Sequence, residues 1–256
     1  MSTHSPIEIS AVIDFDRNIR TNADNLWSSL PLHLQLQGPL KLYDRDPRER
    51  DFMVSAKLNH LHLMFLLRFA LWMGHEPDYE LLTHANDILN LTVEAVLLRD
   101  RLANSGTSLV WRVAYYALPA AGIICMCLLS GSLSMTTSAN LSMADVFQNL
   151  NVLVAEVDSG AFARPEHPNY VLLSDAVCTI KHVLSKVLSR DSSRQSPVKS
   201  NIDAGNNNID PLQAFSVDEW VPWDNQDSWD FETDFWRNLA EHPILAGVDT
   251  RVDGLL

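Results

Sequence analysis

The side chains of this chain that could ligate a metal or carry protons are spaced against the chemistry their types suggest. His60 and His62 stand two residues apart, which on a helix turns them to different sides, so they do not chelate together. His84 and Asp87, three apart, can share a helical face, but one pair without further ligands is not a metal site. Cys125 and Cys127 repeat the two-residue problem. Three cysteines in all, with Cys178 the third, exclude a disulfide framework and a multi-cysteine cluster; each lies in an apolar stretch, where a thiol packs as a small hydrophobe. No G-x-S-x-G elbow surrounds a serine, and Ser130-Gly131-Ser132 reads as a helix-ending turn. Neither G-x-G-x-x-G nor a phosphate-binding G-x-x-x-x-G-K motif occurs. Asp44, Asp46, Glu49 and Asp51 alternate with Arg45, Arg48 and Arg50, the pattern of a solvated, self-neutralising loop, and no aspartate cluster suited to several magnesium ions lies in the apolar segments. No catalytic residue, cofactor site or metal site is assigned, and the chain is expected not to be an enzyme.

Groups that could grip a protein partner are more concentrated. Four of the seven tryptophans fall in residues 201–256, where Trp220, Trp223, Trp229, Phe231, Phe235 and Trp236 are interleaved with acids. That tail holds 12 acids and 2 bases, whereas residues 1–200 hold 20 and 17, so most of the net charge of −13 belongs to it. Repulsion among the carboxylates keeps such a segment extended and leaves its rings available to an apolar groove, as in acidic activation segments that order on binding. These six aromatic residues are the candidate partner-binding set. The alternative is a tail that docks on its own core through Phe235, Trp236 and Leu239. The overall acidity argues against a self-sufficient nucleic-acid binder that neutralises phosphates.

Upstream of the tail, glycine and proline cut the chain into helix-sized pieces. Residues 51–73 are rich in Leu, Met and Phe and end at Gly74; residues 78–102 follow Pro77 and end at Gly106. Residues 108–129 are almost wholly apolar. Val146, Leu150, Leu153 and Val157 recur at steps of four, three and four before Gly160, and Leu173, Val177, Ile180, Leu184 and Val187 repeat the pattern. Such spacing places each set on one helical face, with the glycines in position to terminate helices. No alternating stretch of comparable length competes, so the expected fold is all-α, of packed antiparallel helices. Val113–Leu129 carries no charge, but Pro119 and Gly122 interrupt it and no Lys/Arg cluster orients it; a buried central helix, kinked at Pro119, is preferred to a membrane span. Met1–Asp16 lacks the pattern of a secretory signal. The domain plan is therefore residues 1–26 without a defined element, 27–190 helical, 191–209 a flexible linker, and 210–256 the acidic aromatic tail with a terminal helix over 234–245.

Several of these segments, in this order, resemble the regulatory region of fungal zinc-cluster transcription factors. Trp27-Ser28-Ser29-Leu30-Pro31 is similar to the family's "W-x-x-L-P" opening, and Leu58–Met73 to its "L-x-x-x-F-L-L-x-R" helix. Asp78–Arg101 resembles the next helix. Trp111 with Tyr115-Tyr116-Ala117-Leu118-Pro119-Ala120-Ala121-Gly122 is the best match, to a "W-x-x-x-Y-Y-x-L-P-A-A-G" string that opens a buried helix. Gln148-Asn149-Leu150, Pro168-Asn169-Tyr170 and Asp234-Phe235-Trp236-Arg237-Asn238-Leu239 continue the likeness, which covers Trp27–Arg190 and Asp234–Leu245. The family's six-cysteine DNA-binding module has no counterpart here, since no cysteine precedes Cys125. The resemblance implies a nuclear transcription regulator without its own DNA-binding domain, with a place in the control of a secondary-metabolic pathway. Its tail would contact the transcription machinery or co-activators. Its core would self-associate or join a full-length DNA-binding relative, with no direct contact to nucleic acid or membrane. The expectation of another class is a helical small-molecule binder or enzyme whose pocket between helices is lined by His62, His84 or Asp87.

Overall fold

The computed structural model describes residues 6–72, 79–104, 106–130 and 142–194. All six candidate aromatic residues of the tail lie outside the described residues, as do Gly74 and Gly131 and the segment 234–245. The fold is all-α, with no strand among the described residues. Its helices are α1 (Pro6–Ser29), α2 (Pro47–Leu71), α3 (Tyr79–Leu97), α4 (Thr107–Arg112), α5 (Leu118–Ser130), α6 (Met143–Asp158) and α7 (Tyr170–Arg194). Helix α7 continues through Asp191–Arg194, into the segment expected to be linker.

Local chemistry explains where the helices begin and end. Asp46 caps α2: its carboxylate accepts the Arg48 backbone N–H at 2.8 Å, and Pro47 occupies the first turn, where its missing N–H costs nothing. Ser142 caps α6 by accepting the Asp145 N–H at 3.3 Å. Gly160, with φ of +64°, stands just beyond α6 in the left-handed conformation expected of a terminating glycine. Gly106 does something else. Helix α3 stops at Leu97, a 3-10 turn over Arg99–Arg101 follows, and Gly106 caps the start of α4.

Helix α3 is the hub, packing on α2, α5 and α6, while α5 lies between α3 and α7. From Ala120 to Leu129 every residue of α5 is buried. The stretch Ser108–Ser130 is long and apolar enough to cross a membrane, yet 83% of its most apolar window is buried inside the fold, which accounts for its composition. The disturbance expected at Pro119 takes the form of a π turn over Val113–Ala117. There the Leu118 N–H reaches back to the Val113 carbonyl, and Pro119, which has no N–H to give, follows at once.

Two segments depart from their sequence-based expectations. Residues 1–26, to which no element was assigned, contain most of α1. This helix packs on α2 through Trp27, which stacks on His60 at 5.1 Å between centroids, and through the Arg20–Glu80 ion pair at 3.0 Å that ties it to α3. Ala23 is the one fully buried hydrophobe among its described side chains. The alternating acids and bases of 44–51 are not all solvated either. Pro47–Asp51 opens α2, and both Arg50 and Asp51 are buried. Asp51 accepts from the Arg112 guanidinium and from the Asn104 amide, each at 2.8 Å, and Arg112 also donates to Ser55 Oγ at 2.7 Å.

Candidate functional site

The two histidines diverge as their spacing requires. His60 faces α1, with Nε2 3.7 Å from Asp24. His62 faces the π turn over Val113–Ala117, against Tyr115 at 4.9 Å and edge-on to Tyr116 at 5.1 Å. Its Nδ1 is buried without a hydrogen-bond partner, and burial pushes its pKa down to about 4, so it is a neutral packing residue at pH 7. Burial also lowers the pKa of His84, reinforced by the Arg20 charge. Cys125 and Cys127 are buried in α5, and burial pushes the Cys125 thiol far above its usual range, an inert thiol. Cys178, read as packed, is exposed on α7. Among the described residues no group of three or more His, Cys, Asp or Glu side chains is placed to hold a metal ion.

His84 and Asp87 share α3 but serve different neighbours. His84 lies in the charged seam of Arg20, Arg68 and Glu80, whereas Asp87 lines an open cleft of about 620 Å³ bounded by residues 36–41, α2, α3 and α6. Leu36, Leu61, Leu91 and Val93 give the cleft buried apolar walls, and Leu97 stands exposed at its rim. Lys57, Asp87, Asn90 and Asn149 are among its polar groups, with Gln37, Lys41 and Glu94 at the lip, and the Asn149 side-chain amide donates to Asn90 Oδ1. Lys57 is half-buried with its ammonium 4.8 Å from the Trp27 ring centroid. Burial lowers its pKa while the Asp87 charge opposes the shift, and burial raises Asp87 while Lys57 opposes. Glu94 fixes the cleft's lip by accepting the backbone N–H groups of Leu40 at 2.8 Å and Lys41 at 3.1 Å.

No family model, curated protein or solved structure matches this chain. Its site must therefore be argued from its own residues. Of the pocket residues expected from sequence, Asp87 lines the cleft and His62 and His84 do not, and the cleft is open where an enclosed pocket was sought. Lys57 was missed. It is the one lysine of α2, but Ser55, Asn59 and His60 stand around it, so the local sequence does not single it out.

A second feature is the aromatic surface at the start of the Trp111–Gly122 string. Trp111 is 50% exposed and stacks on Tyr115, itself 38% exposed, at 4.6 Å. Tyr116 turns inward and its hydroxyl donates to Asn59 Oδ1 at 2.6 Å. Leu63 and Leu66 of α2 are also exposed. The string thus runs from a surface aromatic pair into a buried helix.

Proposed function

We propose that this protein is a transcription regulator that acts through protein contacts: a helical regulatory core joined to an acidic, aromatic segment that recruits the transcription machinery. The observation that carries the reading is the Trp111–Gly122 string in the setting of an all-α bundle, where it supplies the central apolar helix. The concentration of acids and tryptophans in residues 201–256 supports the recruiting role. The reading implies a nuclear protein without enzymatic activity, which reaches promoters through a DNA-binding relative, with a role in a secondary-metabolic pathway. The test is to tether the full chain to a heterologous DNA-binding domain upstream of a reporter. Activation above the tether alone supports the reading; an expressed fusion that leaves the reporter unchanged opposes the recruiting role.

The cleft favours a second reading, a helical small-molecule binder. Its volume lies within the range of ligand sites, and its apolar walls carry a few convergent polar groups. Small apolar probes that shift the side-chain amide resonances of Asn90 and Asn149 would support it, and probes that leave both unmoved would oppose it.

A further inference from the structure

We propose that the cleft between α2, α3, α6 and residues 36–41 recognises a small zwitterion with an apolar body, of the kind represented by a free apolar amino acid, holding its carboxylate on Lys57 and its ammonium on Asp87. The inference rests on the small-molecule reading of the cleft and adds the charge pattern of the ligand. Lys57 and Asp87 are the charged side chains left to meet it. Glu94 is engaged by two backbone N–H groups, and Lys41 is exposed on the rim, where water screens it. Lys57 lies over the face of Trp27, and no group among the described residues donates a hydrogen bond to Asp87. Solvent reaches both residues, Asp87 more than Lys57.

A ligand that covers them removes that water and must replace it. A purely anionic ligand would pair with Lys57 and leave Asp87 desolvated beside a second negative charge. A purely cationic one would do the reverse to Lys57. A zwitterion leaves the net charge of the cleft unchanged and gives each group a counter-charge, converting one loosely coupled pair into two paired contacts. Its apolar body lies against Pro39, Leu97 and Leu98, the apolar lining residues that solvent still reaches, where burial supplies the affinity that exposed charges do not.

Calorimetric titration of the purified full chain with L-phenylalanine, phenylalanine amide and 3-phenylpropionate reads this directly, because the three share a body and differ in charge. Phenylalanine is expected to bind at least about tenfold more tightly than either singly charged relative, and Asp87→Asn and Lys57→Met should each abolish that preference. Asp87 is exposed, so its replacement leaves the fold intact, which circular dichroism verifies. Equal binding of all three probes overturns the charge assignment and leaves the cleft as a site. Failure of all three to bind at about 10 mM overturns the zwitterion assignment, and the Asn90 and Asn149 resonances then decide the small-molecule reading separately. Preferential binding of phenylalanine that survives Asp87→Asn places the site elsewhere and overturns the assignment.

Discussion

Arg112 and Arg20 both make ion pairs across helices, and their surroundings give them unequal weight. Arg112 and Asp51 are almost fully buried, with Asn104 and Ser55 completing their hydrogen bonds, whereas Arg20 and Glu80 meet at the surface. Removing one member of a buried pair strands the other, so Arg112→Met should cost about 3 kcal/mol in urea denaturation, while Arg20→Met should cost under about 1 kcal/mol. His62 makes stability depend on pH. Its folded pKa of about 4 lies below the unfolded value of about 6.5, so the unfolded chain takes up the proton first as pH falls. The stabilisation is complete above about pH 6.5 and is lost progressively down to about pH 4. His60 and His84 are shifted the same way, so the comparison that isolates His62 is with His62→Phe. Between pH 7 and pH 5 the parent should lose about 2 kcal/mol more than this variant, read from urea midpoints at the two pH values. The histidine spacing was enough to reject a chelate. It could not show which neighbours each would meet, because Tyr115 and Tyr116, in the π turn over Val113–Ala117, are brought to His62 only by tertiary packing.

At the scale of the element, apolar periodicity identified the helices that bury aliphatic stripes and missed the one that does not. Helix α6 is legible from Val146, Leu150, Leu153 and Val157, all buried. Helix α1 docks through an aromatic stack and ion pairs, and of its Ile19, Ala23 and Trp27, spaced four apart, only Ala23 is fully buried. The acidic and basic run at 44–51 misled for a related reason: charge alternation marks a solvated loop unless a distant residue, here Arg112, draws one acid inward. Glycines divided in the same way. Gly160 has positive φ, and a Cβ there would make only an ordinary contact with the Ala163 carbonyl oxygen at 3.7 Å, so Gly160→Ala should cost about 1 kcal/mol, mainly by backbone strain. Gly38, in open space and without positive φ, should tolerate alanine within about 0.5 kcal/mol. Thermal denaturation of the two variants in parallel tests the contrast.

The whole molecule divides its labour by charge. The first 200 residues are close to neutral and build a core around an uncharged central helix, while residues 201–256 hold a large excess of acid. The core also exposes Trp111, Tyr115, Leu63 and Leu66, and the proposed regulator would use them if it self-associates. Sedimentation velocity should show association that increases with concentration in the micromolar range and weakens in a Trp111→Ser/Tyr115→Ser variant. A monomer at all concentrations would oppose self-association without touching the tail. The cleft was not legible from sequence, because Lys57 and Asp87 lie on different helices and Asn149 on a third. The tail is the reverse case, a signal written in composition alone. The measurement that tests the central claim most directly is reporter output from the full chain tethered to a heterologous DNA-binding domain, with and without Trp220, Trp223, Trp229 and Trp236 replaced by alanine. Strong activation by the parent, lost in the quadruple variant and largely kept when single acids of the tail are replaced, is the expected result; an expressed parent fusion that activates no better than the bare tether would contradict the account.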